Sequence, residues 1–422
     1  MPSPLLQKIP LLKKLQPALN SATPKGDEFS GGNSITLLKN GAEFFPSLIT
    51  AIDSATRDVR IETYIFDDDA AGQQIGDALK SAARRGVPVR VVVDGLGSGR
   101  TPATFFDGLK QAGVEFAVFR PERNVFNFKR SRLRRVHRKI ALIDGRLGFV
   151  GGINLIGDLT QALSDTEPRY DYTVRIEGPL LVDIYAAVNR LWRVLLWSSP
   201  SLSLSRSFPQ RHKGDSLYSP DEIAPAGDMD ARFVVRDNFR YRRSIEDEYL
   251  NAIQSATQQV LIVSPYFLPG RKLRRALRDA AARGVAVTLL LQGRADHVLL
   301  QLATRALYAH LLEAGVIIYE YEIAMLHGKV AVIDQAWATV GSSNLDPFSL
   351  FLNREANVIV RNSAFVNQLR DSVNAEIKRG ALQLQAPAWQ RRSAWSKAQS
   401  WCAYGFARLV AGWVGFRSEW GG

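Results

Sequence analysis

Two copies of one short pattern carry the residues of this chain whose types and spacing could do chemistry. The first copy runs from Val136 to Asn154 and the second from Leu326 to Asn344. The matched positions, each pair 190 apart, are His137, Lys139, Asp144, Gly151 and Asn154, and His327, Lys329, Asp334, Gly341 and Asn344. A single His-x-Lys arises by chance in many chains, whereas five matched positions at one spacing indicate a duplicated site.

The pattern suits the chemistry of a phosphoryl group. His and Lys two positions apart on a strand point to the same face, so each copy predicts one pocket. Together the two copies supply two imidazoles, two ammonium groups and the amides of Asn154 and Asn344. The lysines can hold non-bridging oxygens and the amides can donate to the substrate. One His can attack phosphorus while the other gives its proton to the leaving oxygen, which predicts a phosphohistidine intermediate with no metal ion or other cofactor.

The third matched position, Asp144 and Asp334, is grouped with the catalytic residues because it repeats with them. Its parity is opposite to that of His and Lys, and it falls where each apolar strand ends. Asp144 is also followed by Gly145, a pair typical of tight turns. We therefore interpret both Asp residues as anchors behind the site rather than as groups that touch the substrate.

The doubled pattern resembles the phospholipase D superfamily over about residues 31–381. The second copy continues as G-S-S-N-L-D-P-F-S-L-F-L-N-R-E from Gly341 to Glu355, which is similar to the bacterial cardiolipin synthases. The resemblance implies a phosphatidyltransferase that makes cardiolipin from phosphatidylglycerol, releases glycerol and favours His137 as the nucleophile. It also implies that an acidic residue after each motif orients a catalytic histidine, and Asp171 and Glu355 are the residues at those places.

Length and composition are compatible with this chemistry. The chain has 422 residues, of which 46% are hydrophobic, so it can bury sizeable cores in two or three domains. A single cysteine, Cys402, excludes an internal disulfide and is typical of a reducing compartment. The formal net charge of +13 favours an anionic partner, either acidic lipid or nucleic acid.

Strand and helix patterns alternate in each half, which predicts an α/β fold with a mainly parallel sheet. The segment Ser81–Val89 is echoed by Ala280–Val287, so the second half replays the first. We expect two similar halves, related by internal duplication, with one shared active site at their interface. The predicted boundaries are an N-terminal arm (1–30), a first half (31–200), a linker (201–230), a second half (231–386) and a C-terminal tail (387–422).

Three segments outside the motifs carry charge and apolar residues together. Residues 1–20 mix leucines, lysines and prolines, which is compatible with a surface arm that touches membrane or with a disordered leader. Residues 125–135 form a basic stretch that leads into the first motif and could recruit anionic headgroups. The tail holds five of the eight tryptophans, which is typical of an amphipathic membrane anchor or of a helix packed on the body.

These observations favour a peripheral enzyme on the cytoplasmic side of a bacterial membrane. Its expected partners are phosphatidylglycerol, phosphatidylethanolamine as a further candidate substrate, and an anionic membrane surface, with no nucleic acid. Alternatives are a phospholipase D-type hydrolase and a phosphodiesterase of nucleic acid, for which the same pocket and the basic charge would serve. A non-catalytic lipid-binding scaffold is disfavoured because His and Lys are intact in both copies.

Overall fold

The computed structural model describes residues 28–121, 134–158, 167–198, 223–237, 241–294 and 297–413. Most of the N-terminal arm predicted for residues 1–30 lies outside these ranges, as do residues 125–133 of the basic stretch and residues 201–222 of the predicted linker.

One sheet of 15 strands runs through the described part of the chain. The first half contributes β1 (Ser30–Lys39), β2 (Val59–Thr63), β3 (Val89–Asp94), β4 (Glu115–Phe119), β5 (Lys139–Ile143), β6 (Leu147–Gly151) and β7 (Tyr172–Glu177). The second half contributes β8 (Met229–Arg236), β9 (Gln259–Ser264), β10 (Ala286–Gln292), β11 (Ile317–Tyr321), β12 (Val330–Ile333), β13 (Trp337–Gly341), β14 (Glu355–Arg361) and β15 (Ala381–Gln383). The spatial order is β15-β11-β10-β9-β12-β13-β14-β8-β1-β7-β6-β5-β2-β3-β4, so the two halves mirror each other about the β8–β1 pair.

Helices join and cover these strands. Those of the first half are α1 (Asn40–Asp53), α2 (Ala70–Arg84), α3 (Ala103–Gln111) and α4 (Leu181–Ser198). Those of the second half are α5 (Ser244–Ser255), α6 (Arg271–Ala282), α7 (Val298–Arg305), α8 (Tyr308–Glu313), α9 (Pro347–Phe351), α10 (Ser363–Gly380), α11 (Ala386–Gln390) and α12 (Ala394–Trp413). The predicted α/β fold with an internal duplication is confirmed.

The expectation of a mainly parallel sheet is wrong. Among the named strands, parallel pairing is confined to β2-β3-β4 and β9-β10-β11, and the other strand pairs are antiparallel. The physical reason is that β5, β6 and β7, and likewise β12, β13 and β14, succeed one another directly in the sheet without a crossover helix. Because β5 runs antiparallel to β2, the start of the motif strand lies beside the carboxyl end of β2.

The repeated helix–glycine–strand segment folds in the same way in both halves. Helices α2 and α6 bury equivalent apolar positions, among them Leu79 and Leu277, against the sheet. Each helix ends at a glycine with positive φ, Gly86 at +86° and Gly284 at +88°, a conformation that residues with a side chain rarely adopt. Strands β3 and β10 follow these turns. Their last residues, Asp94 and Gln292, accept hydrogen bonds from the amides of Val136 and Leu326, which precede the two histidines.

One hydrophobic cluster is built from both halves. Val150 and Val174 of the first half belong to it together with Val340 and Val358 of the second, and all four are fully buried. Burial of apolar side chains is the main stabilising contribution to such contacts. The two halves are therefore held together by a continuous core as well as by the β1–β8 strand pair.

The tail of the chain packs along the second half. Helix α12 lies against α7 and buries Tyr404 and Ala407, while Trp395 and Leu409 are each 73% exposed. Both interpretations of the tail thus have a physical basis, because one side packs on the body and the other presents apolar side chains. The indole of Trp413 and all of Trp420 lie outside the described residues. Within the described ranges, no helix has the length and apolar character needed to cross a membrane.

Asp144 and Asp334, which the repeat groups with the catalytic residues, lie away from the histidines, as expected of anchors behind the site. Each lies at the far end of its motif strand, with φ of 57° and 52° respectively. The Asp144 carboxylate accepts hydrogen bonds from the amides of Thr56, Arg57 and Asp58 and from the Thr56 hydroxyl, at 2.7–3.0 Å. Asp334 accepts the equivalent four bonds from residues 257–259. Both carboxylates anchor the loop before β2 or β9, and neither faces the histidines.

We predict that Asp144→Ala lowers the free energy of unfolding by about 1–3 kcal/mol, because the buried amide of Asp58 and the part-buried amides of Thr56 and Arg57 lose their charged acceptor. The more exposed Asp334 should cost about half as much on the same grounds. Urea denaturation of both variants measures the effect. An Asp144→Ala protein with native stability and no activity would instead restore Asp144 to the catalytic group.

Candidate active site

The two histidines lie at one edge of the sheet because each precedes its motif strand. The amides of His137 and Arg138 both donate to the Arg354 carbonyl, at 3.0 and 3.1 Å. The amides of His327 and Gly328 both donate to the Tyr170 carbonyl, at 2.8 and 2.9 Å. Each histidine is thus fixed by a backbone segment that belongs to the other half of the chain.

The histidine side chains also contact the other half of the chain. His137 Nδ1 lies 3.0 and 3.1 Å from the two carboxylate oxygens of Glu355, which is 218 positions away in the chain. His327 Nδ1 lies 2.6 Å from Asp171 Oδ2, 156 positions away. The structure therefore brings all four predicted residues together and pairs each acid with the histidine of the other half. With Nδ1 engaged, Nε2 is the ring nitrogen left for a substrate.

Glu355 and Asp171 have different residues beside them. The Ser342 hydroxyl donates to Glu355 at 2.5 Å, whereas the position equivalent to Ser342 in the first half is Gly152. A Cβ at Gly152 would lie 2.2 Å from Asp171 Oδ1, so this glycine leaves room for the shorter acid to reach His327. Sequence reasoning missed these two roles, although the Gly-Gly and Gly-Ser pairs after the motif strands marked the places.

The buried charges set the protonation of these pairs. Burial raises the pKa of Asp171 to about 6 despite the nearby ammonium of Lys329. Burial would also raise the pKa of Glu355, but His137, Lys139 and the Ser342 hydrogen bond outweigh it and hold that pKa below its ordinary value. Burial and the lysines lower the pKa of His327 well below its usual range. Burial also lowers the pKa of His137, although Glu355 opposes the shift.

Two buried ammonium groups complete the site. Lys139 donates to the His137 carbonyl at 2.6 Å, and Lys329 donates to the His327 carbonyl. Their side chains are almost inaccessible, since the residues are 5% and 1% exposed. Burial and the neighbouring Lys329 lower the pKa of Lys139 to about 7. Because the two buried ammonium groups repel each other, binding of an anion between them is strongly favoured.

The two predicted amide donors are both buried at this edge. Asn154 Oδ1 accepts from the Ile65 amide at 3.2 Å, which fixes its orientation at the end of β2. Asn344 Oδ1 has no hydrogen-bond partner among the described residues. The two amides occupy matched positions of the repeat, and only the Asn154 side chain is held by a hydrogen bond through its Oδ1 among the described residues.

An aromatic ring lies beside His137 and Lys139. The Tyr64 ring lies 4.9 Å from the His137 ring, and Lys139 Nζ lies 5.5 Å from the Tyr64 centroid. Burial raises the pKa of Tyr64 to about 12, so its hydroxyl stays protonated. The equivalent position in the second half is Pro265, as the paired registers of β2 and β9 require. Among the described residues, no group of three His, Cys, Asp or Glu side chains is placed to hold a metal ion.

Comparison with known protein families and curated proteins gives matches over most of the chain. The family model described as "Cardiolipin synthase, PLD-like domain" matches residues 48–192 and 249–377. Cardiolipin synthase B of Escherichia coli K12 is 38% identical over 386 residues, covering 91% of this chain and 90% of that protein. Cardiolipin synthase B of Salmonella typhimurium is 39% identical over 389 residues, and cardiolipin synthase 1 of Bacillus anthracis is 30% identical over 372 residues.

Solved structures share the fold at much lower identity. Phosphatidylserine synthase of Haemophilus influenzae Rd KW20 matches with a TM-score of 0.68 at 15% identity, over 94% of this chain and 98% of that one. Polyphosphate kinase of Porphyromonas gingivalis matches with a TM-score of 0.56 at 15% identity, over 90% of this chain and 53% of that one. The doubled fold, the paired motifs and the curated relatives agree, and the chain belongs to the phospholipase D-like cardiolipin synthase family of enzymes.

Proposed function

We propose that the protein makes cardiolipin by moving a phosphatidyl group from one phosphatidylglycerol to another through a phosphohistidine, with release of glycerol. The observation that carries this proposal is the crossed pairing, which gathers two histidines and two buried lysines into one anion-seeking site. The curated relatives named cardiolipin synthase support the choice of lipid.

The first step forms the covalent intermediate. Nε2 of one histidine attacks phosphorus, the bond from phosphorus to the glycerol oxygen breaks, and the second histidine gives its proton to that oxygen. Lys139 and Lys329 neutralise the non-bridging oxygens as charge builds on them. Asn154 and Asn344 donate to the same phosphoryl group.

The second step reverses the proton path. The histidine that protonated glycerol removes the proton from a hydroxyl of the second phosphatidylglycerol. That oxygen forms a bond to phosphorus, the phosphorus–nitrogen bond breaks, and the nucleophilic histidine is restored. Cardiolipin is the product, and no net proton is consumed.

The two acids favour different roles for the two histidines. His327 has the more strongly lowered pKa and is held in its neutral form, which is the form that attacks phosphorus. Burial lowers the pKa of His137 less than that of His327, because Glu355 stays ionised and opposes the shift, so His137 is the histidine that takes up a proton more readily. We therefore assign the attack to His327 and the acid–base role to His137, which reverses the assignment that the family resemblance favours.

Apolar side chains support contact with a membrane surface. Val298 and Leu299 begin α7 and are 60% and 45% exposed, while Phe406 and Leu409 of the neighbouring α12 are 53% and 73% exposed. Helix α7 follows β10, whose last residue, Gln292, accepts a hydrogen bond from the Leu326 amide beside His327. Peripheral attachment through this face would bring the site to lipid headgroups. The cytoplasmic side of the membrane is part of this proposal.

The direct test is mass spectrometry of lipids after the protein is incubated with phosphatidylglycerol vesicles. We expect cardiolipin and glycerol, with turnover reduced at least about a thousandfold in His327→Ala, because no nucleophile remains. His137→Ala, given a donor with an activated leaving group that needs no proton, should accumulate a phosphatidyl group on His327. Phosphatidic acid as the sole product would make the protein a hydrolase. Absence of any lipid product would leave nucleic-acid phosphodiesters as substrates.

The pKa shifts predict a narrow pH profile for kcat/KM. Activity should rise as Asp171 ionises near pH 6, because only the carboxylate accepts from His327. It should fall above about pH 7 as free Lys139 loses its proton. Bound phosphate favours charged Lys139, so the alkaline limb of kcat should lie at higher pH than that of kcat/KM. Lys139→Arg keeps its charge at all these pH values, so the part of the alkaline limb that Lys139 sets should be lost, while loss of the His137 proton still lowers activity as the pH rises. A flat kcat/KM across both limbs would contradict the assignments.

A further inference from the structure

The two sides of the site are equivalent in backbone and unlike in side chains. Val136 bridges to Arg354 as Leu326 bridges to Tyr170, so the chain segments that hold the two histidines superimpose position by position. Arginines stand on the His137 side at positions 134, 135, 138 and 354, whereas the equivalent residues beside His327 are Ala324, Met325, Gly328 and Tyr170.

Two further positions extend the difference. Arg236 pairs with Glu355 in the register of β8 and β14, and its equivalent beside Asp171 is Asn40. One position has the opposite pattern, since Arg169 on the His327 side is matched by Asn353 on the His137 side. We refer to Arg120, Arg134, Arg135, Arg138, Arg236 and Arg354 as the arginine cluster. The second half has Ala324 and Tyr170 at the positions of Arg134 and Arg354, so the shared backbone does not require arginine at these two positions.

Part of the cluster is neutralised within the protein. Arg138 and Glu62 form a buried ion pair, with Nε 2.5 Å from Oε2 and Nη2 3.0 Å from Oε1. Arg135 Nη1 lies 3.5 Å from Asp94 Oδ1. Glu355, which is bonded to His137, and Asp237 both act on the charge of Arg236, and Asp237 also acts on Arg354. Among the described residues, the four carboxylates of Glu62, Asp94, Asp237 and Glu355 face the six arginines of the cluster.

The excess charge falls on its half-buried members. Burial, then Arg134 and Arg135, lower the pKa of Arg120, and burial followed by Arg138 lowers the pKa of Arg354 to about 10. Arg354 Nε has no hydrogen-bond partner among the described residues. Arg120 Nη1 donates to the Arg134 carbonyl at 3.1 Å, which keeps these two arginines adjacent. Neighbouring guanidinium groups that repel one another bind a phosphate group well, because the phosphate accepts their hydrogen bonds and reduces the repulsion.

The chemistry of the second step says which phosphate would need such a site. The entering alcohol attacks on the side from which glycerol leaves, opposite the nucleophile, so it lies beside the acid–base histidine. In phosphatidylglycerol, three carbons separate the attacking hydroxyl from the oxygen of that lipid's own phosphodiester. An acceptor that gives its proton to His137 therefore carries a second negative charge beyond His137, on the side where Arg236 interacts with Glu355, the acid of His137, and Arg134 interacts with Arg236.

We propose that Arg134 and Arg354, supported by Arg120 and Arg236, form a subsite for the phosphodiester of the acceptor phospholipid. The subsite deepens the proposed function and rests on it. It selects an anionic lipid acceptor over water and neutral alcohols, which lack the second phosphate. It also breaks the symmetry of the duplicated site and gives the two lipids fixed places.

The test uses one donor and two competing acceptors. Phosphatidylglycerol vesicles containing ethanol, in a phosphate-free buffer, give cardiolipin and phosphatidylethanol from the same phosphohistidine, and mass spectrometry measures their ratio. Arg134→Ala, which places the residue of the opposite side (Ala324) at this position, should lower the cardiolipin-to-phosphatidylethanol ratio about tenfold through loss of a charged hydrogen bond. Arg134→Lys keeps the charge and should recover most of the ratio. Arg354→Met is a second, independent variant with the same expected direction.

The matched control is Arg275→Ala on α6, which removes one positive charge from a side chain that is 83% exposed. Its ratio should equal that of the unaltered protein, so a change there would assign the effect to membrane charge and overturn the subsite. An unchanged ratio in both Arg134→Ala and Arg354→Met would also overturn it, including the case in which the cluster holds free phosphate. Failure of the unaltered protein to make cardiolipin would contradict the proposed function itself, and the two failures are therefore distinguishable.

Discussion

The crossed contact between each acid and the histidine of the other half is the constraint on which the rest of the structure depends. Neither histidine is oriented by its own half, because Glu355 reaches His137 and Asp171 reaches His327. The continuous core and the β1–β8 pair hold the halves in the register that these bonds need. A duplicated chain thus forms one site instead of two, and loss of either half would leave a histidine without its acid.

Burial of charge is the second constraint, and it follows from the first. Bringing the motifs together buries two ammonium groups side by side, and the charges of Glu355, Asp171 and Asp94 oppose their repulsion. Such an arrangement costs stability unless an anion completes it. The buried charges therefore lower the stability of the free protein and raise its affinity for the phosphoryl group of the substrate.

The sequence predicted the parts of this arrangement that depend on local order. The motif residues, the two acids and most helices and strands could be placed because spacing and apolar periodicity reflect neighbours within one element. The crossed pairing could not, since partners 156 and 218 positions apart are chosen by the packing of the halves. The antiparallel meanders after each motif also escaped prediction, because short strands without crossover helices look alike in either direction. The asymmetry between Arg354 and Tyr170 became visible only once their backbone equivalence was known.

The most direct test of the shared site is a crystal structure of the protein with vanadate, which mimics phosphorus in transit between two axial groups. We expect a single vanadate per chain, with Nε2 of His137 and of His327 on opposite sides of the vanadium and Lys139 and Lys329 at its equatorial oxygens. Vanadate bound to one histidine alone, or one ion in each half, would contradict the claim that the two halves form one catalytic centre.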